Sequence, residues 1–422
     1  MIRNSKAGKA LGVVAVGTAI ALLATGCSRG DTGGAGGDGG DGGAASPGIT
    51  DTSVTLGVNT PLSGATAGQG TCTVAGLVAY FGPINEAGGV EFGDGVQRTV
   101  EVEAFDDGYD PQKALTNFQQ NSGDVFAFTS GLGTPTNRAY REAAIDEEVP
   151  QVLVMTGDPI FSDQTESPWQ LGFVPVYQNE GAAFGELLAE SGEELTAAIL
   201  YQNDDFGEGY AEGFKEAIEG TSVTVVKELS YEATDTSVDA QVTELAATDA
   251  DVFFLAASII PLVQQSIEKA RELDWHPSWF LPSNTSSPGA ILQPAGADPA
   301  DGFYSVAFAK APQSPVYAED EDVKEFLANL EQYAADYTTT PDFPHCMWSY
   351  MVGATLEEAF TNTAEPTREA FMEALRGIDS LNAPLMLEGT EVSTSQDGLP
   401  AVSTVVVQKF NGQGYDNAEG ID

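Results

Sequence analysis

The sequence predicts an α/β fold, with parallel sheets covered by helices on both faces and the chain arranged in two series. Three observations carry the prediction. From Ser53 to Met155, short runs rich in Val alternate with helical stretches. The same rhythm restarts after Val174. From Phe303 it changes to a single strand, three helices and a strand-like tail. No repeat of fixed period appears beyond the βα unit.

In the first series, strands are expected at Ser53 to Val58, Thr99 to Phe105, Asp124 to Thr129 and Pro150 to Met155. Helices are expected near Thr71 to Ala87, from Pro111 to about Gln120, and from Thr134 to Ile145. Asp110-Pro111 supplies an N-cap and an N1 proline, and Gly88-Gly89 supplies a positive-φ helix stop. Gly64 and Gly70 permit close approach of the loop at the carboxyl end of the first strand, the edge where ligands sit in open α/β sheets.

The second series reads as helix from Tyr177 to Ala189 and strand from Leu195 to Tyr201. A helix follows whose apolar stripe is Phe206, Tyr210, Phe214 and Ile218, ended by Gly220. Strands follow at Val223 to Val226, Asp251 to Ala256 and Trp279 to Leu281, with a helix around Pro261, Val263, Ile267 and Ala270 between the last two. The apolar stripes read as core. Then come a strand at Phe303 to Phe308, helices at Glu319 to Ala335, Cys346 to Thr361 and Thr367 to Arg376, and a strand-like run at Ala401 to Phe410.

The amino terminus carries a different message. Arg3, Lys6 and Lys9 precede an apolar run from Ala10 to Ala24, about 15 residues against the roughly 20 needed to span a bilayer. That is a signal-peptide layout. Leu23-Ala24-Thr25-Gly26-Cys27 resembles a bacterial lipobox, with Ala24 where Leu is preferred. The resemblance implies cleavage after Gly26 and a lipid on Cys27. Residues 27–49 then form a Gly-rich linker, spanning on average about 25 Å and expected to stay flexible.

The remaining stretch of about 370 residues is long enough for two or three domains with ample core. Asp and Glu number 63 against 17 Lys and Arg, for a formal net charge of −46. Loss of residues 1–26 removes three bases and no acid, so −46 becomes −49. Such a surface repels nucleic acid and anionic lipid headgroups. The two histidines, His276 and His345, stand in no H-E-x-x-H motif, and C-x-x-C and G-x-S-x-G are absent from the sequence. Zinc and Ser-His-Asp chemistry thus lack recognisable parts.

Four stretches carry a family resemblance. They are "NTPLSGATAGQG" (Asn59 to Gly70), "INEAGGV" (Ile84 to Val90), "FDDGYDPQKA" (Phe105 to Ala114) and "YQNDDFGEGYAEGFKEAI" (Tyr201 to Ile218). In this order and spacing they resemble the type I solute-binding proteins of the branched-chain amino-acid and amide group, which serve ABC importers. The resemblance covers about residues 50 to 415. It implies two doubly wound parallel-sheet lobes joined by three hinge crossovers, with a ligand cleft between them. Lobe 1 is then 50–176 plus 312–384, and lobe 2 is 177–305 plus 386–422. Crossovers fall near Val174 to Tyr177, Phe308 to Pro312 and Leu381 to Leu387. This placement puts Cys72 and Cys346 in one lobe and implies a disulfide between them, the alternative being two separate buried thiols.

The resemblance also implies a site. The loops after the third and fourth strands, "SGLGTPT" (Ser130 to Thr136) and "MTGDP" (Met155 to Pro159), would hold the ligand's carboxylate or amide through Gly133, Thr134, Thr136, Thr156 and Gly157. Thr134 and Thr136 read equally as helix caps. Phe206 matches the aromatic of the second lobe, or simply begins the core stripe. Ile259 stands where amino-acid binders place a second aromatic, and Asn284 stands where they place an acid for the ammonium group. A buried ammonium without a charge partner is costly. An ordinary α-amino acid is therefore disfavoured unless Asp158 substitutes; its alternative is an N-cap or surface acid. Gln69 occupies another place where an aromatic is usual. A cleft of Gln69, Thr134, Ser258 and Asn284 would suit an uncharged amide or another polar ligand.

The implied activity is non-covalent capture of a small molecule by a monomer, closure of the hinge and docking on an ABC permease, with no cofactor, no metal and no catalysis. A ligand-sensing receptor of the same fold, or an amide hydrolase, are the rival readings.

Overall fold

The computed structural model describes residues 45–337 and 343–421. The expected signal peptide, Cys27 and residues 28–44 of the Gly-rich linker lie outside the described residues. Among the described residues, no helix is long and apolar enough to cross a membrane.

The first half is built on β1 (Ser53–Thr60), β2 (Val90–Glu91), β3 (Gln97–Asp106), β4 (Ala127–Thr129), β5 (Gln151–Val154) and β6 (Gln170–Gly172). The spatial order is β2-β3-β1-β4-β5-β6, parallel except for β2, a short antiparallel edge. Three helices return the chain between strands: α1 (Ala67–Glu86), α2 (Pro111–Asn121) and α3 (Thr134–Asp146). Asp110 caps α2 as expected, its carboxylate accepting from the Gln112 and Lys113 amides. α1 begins four residues earlier than the sequence suggested and carries Pro83 in its last turn.

The second half alternates α4 (Tyr177–Ser191), β7 (Leu195–Gln202), α5 (Asp205–Ala217), β8 (Val223–Tyr231), α6 (Asp239–Ala246), β9 (Val252–Ala256), α7 (Ile260–Glu272) and β10 (Ser278–Phe280). A single turn, α8 (Gln293–Ala295), precedes β11 (Phe303–Ala307). The chain then supplies α9 (Glu321–Tyr333), α10 (Pro344–Thr361) and α11 (Arg368–Leu375), and ends in β12 (Val406–Phe410) and β13 (Tyr415–Asn417). The sheet order is β13-β12-β11-β10-β9-β7-β8, with β12 and β13 antiparallel at the edge. Its core is aromatic: Phe254 lies 4.5 Å from Phe280 and 4.4 Å from Phe214 between ring centres.

α9 and α10 pack back on α1, so these late helices cover the first half. Gly76 sets the α1–α10 distance: a Cβ there would meet the Cys346 carbonyl at 2.3 Å. At this crossing Cys72 and Cys346 form the expected disulfide, with Cα atoms 4.3 Å apart.

The segments around Phe308 to Pro312 and Leu381 to Leu387 pair through their backbones: Lys310 N–H donates to the Leu385 carbonyl, and Leu387 N–H to that of Phe308. After Leu387 the chain stays with the first half, where Val392 and Leu381 bond reciprocally. The Ala401 and Val402 amides donate to Gly172 and Phe173 beside β6. Only at Val406 does the chain enter the second sheet, opposite Ala307. Val392, Thr394, Ala401 and Val402 thus find their backbone partners in the first half, at Leu381, Ile378, Gly172 and Phe173.

Candidate functional site

The carboxyl ends of the parallel strands in both halves face each other across a cavity. Loops and helix starts of the first half contribute Thr66, Gln69, Tyr109, Leu132, Gly133, Thr134 and Met155. Val174, Tyr177 and Glu180 come from the first crossing and α4. Phe206 and Tyr210 come from α5, Ser258 from the end of β9, and Ser283 and Asn284 from the end of β10. His345 and Trp348, near the start of α10, complete the wall.

The halves touch across this cavity. The Gln69 side-chain amide donates to the Asn284 carbonyl at 3.1 Å. Tyr109, held at a φ of +63° after Asp107-Gly108, reaches Ser258 and Gln202 of the second half. Arg138 of α3 binds Asp158 of its own half and Asp205 of α5 at 3.1 Å.

Six sequence-predicted residues meet on the wall: Gln69, Gly133, Thr134, Phe206, Ser258 and Asn284. Gly133 has a φ of +104°, a conformation natural only to glycine, and it turns the chain from β4 into α3. Thr134 Oγ1 lies 2.9 Å from both Thr156 Oγ1 and Tyr177 Oη, and the latter two are 3.0 Å apart. Three hydroxyls thus close a buried ring, and Thr156 stands behind the wall as part of it.

The other four candidates are placed elsewhere. Thr136 returns its hydroxyl to the Leu132 and Gly133 carbonyls. Gly157 accepts the Tyr177 amide, and a Cβ on it would meet the Pro175 carbonyl at 2.3 Å. Ile259 is the N-cap residue of α7 and packs in the core. Asp158 caps the turn at Pro159–Phe161 through the Ile160 amide and binds Arg138, so its carboxylate is engaged away from the cavity.

The acid on the cavity wall is instead Glu180, one turn into α4 and 1% exposed. Its carboxylate accepts from Tyr210 Oη at 2.7 Å, Ser283 N at 3.2 Å and Ser283 Oγ at 2.9 Å. Burial pushes its pKa from the ordinary 4.5 up to about 7, although those three bonds pull the other way. His345 is 1% exposed, and burial pushes its pKa down to about 3, so it is neutral at physiological pH. Its Nδ1 and the Oδ1 of Asn284 are buried without a hydrogen-bond partner among the described residues. Aromatic surface surrounds these groups: Tyr177, Phe206 and Tyr210 pack mutually at 4.9 to 5.1 Å. No lysine or arginine lines the cavity among the described residues.

Glu180 and His345 were absent from the sequence-based site, yet each left a signal. Glu180 sits on the same helical face as Tyr177 and Phe184, an acid on an apolar stripe. His345 adjoins Cys346, and the expected pairing with Cys72 placed that turn one helical turn from Gln69.

The profile of a family described as periplasmic binding protein matches residues 53–414. The chain belongs to this family. A leucine-, isoleucine-, valine-, threonine- and alanine-binding protein of Pseudomonas aeruginosa is 25% identical over 203 residues, 48% of this chain and 52% of that protein. The chain thus spans about half the length of the curated relatives it matches. Among solved structures, a fatty acid ABC transporter substrate-binding protein from Thermomonospora curvata superposes with a TM-score of 0.75 at 21% identity, covering 89% of this chain and 95% of that one. A solute binding protein of an ABC transporter from R. palustris, solved with benzoate, gives 0.70 at 19% identity over 86% and 95% of the two chains. These two likenesses concern the fold. The periplasmic binding protein family implies an extracytoplasmic location and small-molecule ligands, and its architecture is the two-sheet arrangement described above.

Proposed function

We propose that this periplasmic binding protein is a lipid-anchored receptor that captures a small organic solute between its two halves and delivers it to an ABC importer. The observation that carries the reading is the shared cavity, whose wall draws Gln69 and Thr134 from one half and Phe206 and Asn284 from the other. A solute held there touches both halves at once, so its affinity is greatest when they are closed. A ligand shifts such an equilibrium only by its differential affinity for the closed form. Closure also excludes water, which strengthens polar contacts to the solute.

Within this reading, Thr134 and Gly133 receive the solute on the first half, while Phe206, Ser258 and Asn284 close over it. The lipobox-like stretch ending at Cys27 supports anchoring at the outer membrane face, with the Gly-rich segment as a tether. The named relatives are a binding protein for leucine, isoleucine, valine, threonine and alanine, the substrate-binding protein of a fatty acid transporter and one solved with benzoate, a spread too wide to choose the solute. What this wall adds is extensive aromatic surface, so the solute has an apolar body as well as a polar group.

Thermal melting across a panel of amino acids, amides, amines and small carboxylates tests the proposal. A true ligand at 100 times its Kd adds about 2.7 kcal/mol of stability. A panel that leaves the melting temperature unchanged throughout would contradict it.

A further inference from the structure

We propose that Glu180 selects the solute, and that the cleft takes an organic monocation, a protonated amine on a compact apolar body. The inference rests on the solute-binding reading of the same cavity and names its ligand class.

The polar groups of the wall are unbalanced. Glu180 is the one carboxylate among the lining residues, and no lysine or arginine accompanies it among the described residues. A carboxylate offers about four lone-pair sites, and Tyr210 and Ser283 fill three. Glu180 lines a cavity in which Asn284 Oδ1, buried without a partner among the described residues, is also an acceptor. A protonated amine donates to both. An anionic solute would meet Glu180 without a compensating cation, at a cost that burial magnifies.

The rings agree with this polarity. Tyr177, Phe206 and Trp348 present aromatic surface to the same space, and such faces attract cations. At long range, a net charge of −46 steers cations inward and repels anions. The ionisable groups around Glu180 add no rival charge. Tyr177 on its own helix and Tyr210 from α5 are both held protonated by burial, and His345 from α10 is held neutral. The raised pKa of Glu180 fits a carboxylate that lacks its counter-ion, and an ammonium there would restore its ionised form.

The test compares solutes of one shape and different charge. Butylammonium, butyramide, butyrate and 2-aminobutyrate form one series; phenethylammonium, 3-phenylpropionamide, 3-phenylpropionate and phenylalanine form another. Binding is measured by calorimetry on the mature chain. The amine is expected to bind most tightly in at least one series. Its affinity should fall roughly tenfold from pH 8 to pH 6, as Glu180 takes up a proton. Glu180→Gln should cost at least tenfold at pH 8 and abolish the pH slope, and Asn284→Asp should tighten amine binding. Tighter binding of the amide, carboxylate or zwitterion in both series overturns the inference, as does unchanged amine affinity in Glu180→Gln. A neutral or anionic ligand lost on Phe206→Ala would overturn it while leaving the solute-binding reading intact. The absence of any Phe206-dependent ligand would remove both.

Discussion

Arg138 of α3 stands 3.1 Å from Asp205 at the start of α5, so an ion pair bridges the two halves beside the cavity. The same guanidinium holds the buried Asp158, which fixes its position. Both Arg138 and Asp205 are partly exposed, so the bridge should contribute at most about 1 kcal/mol and weaken with salt. Asp205→Asn removes it without stranding Asp158. Ligand affinity should fall two- to fivefold at low ionic strength, and the variant and the parent should converge near 1 M salt. A titration series in sodium chloride measures both.

The disulfide joins the helices that carry Gln69 and His345. Cys72 and Cys346 are 274 residues apart in sequence, so the link strongly restricts the unfolded chain. The double variant Cys72→Ser, Cys346→Ser should lose about 2–5 kcal/mol in denaturant unfolding. Affinity should fall as well, because the α1–α10 crossing no longer sets the wall. Equal stability of the reduced and oxidised protein would contradict this.

Glu180 and His345 give stability opposite responses to pH. Glu180 holds its proton more tightly when folded, with a pKa near 7 against an ordinary 4.5. Its contribution is therefore full below pH 4.5 and is lost as pH rises through 7. His345 resists protonation when folded, with a pKa near 3 against 6.5. Its contribution is full above pH 6.5 and is lost as pH falls towards 3. Glu180→Gln should thus raise the melting temperature of the empty protein at pH 8, on the order of 3 kcal/mol in stability, and change it little at pH 4. His345→Gln should flatten the acid limb. Melting curves from pH 4 to pH 8 supply the readout.

The strand ladder was legible because each central strand is apolar on both faces. β9, for instance, is buried at all five positions. Edges were harder. β8 was read only to Val226, because beyond it the strand alternates exposed and covered residues, with Lys227, Glu228 and Ser230 among them. β6 escaped notice at three residues, and α6 at eight. The run from Ala401 was read as strand throughout, although its first residues are extended backbone bonded beside β6.

In the site, residues on loops after strands were legible because topology dictates where such loops go. For Asp158 the sequence left two readings open, a cavity acid on a loop that faces the cleft or an N-cap, and in the structure it is the cap. Its partner Arg138 lies one turn into the preceding helix, and nothing local announces that pairing. Glu180 and His345 reach the cavity from helix faces, and their positions depend on how α4 and α10 pack.

The central claim is that one solute is held by both halves at once. Calorimetric titration of a single bound solute against Thr134→Val, which alters the first half, and Phe206→Ala, which alters the second, tests it most directly. Each variant should keep a cooperative melt and bind at least several-fold more weakly. Undiminished affinity in either variant would contradict a site shared between the halves.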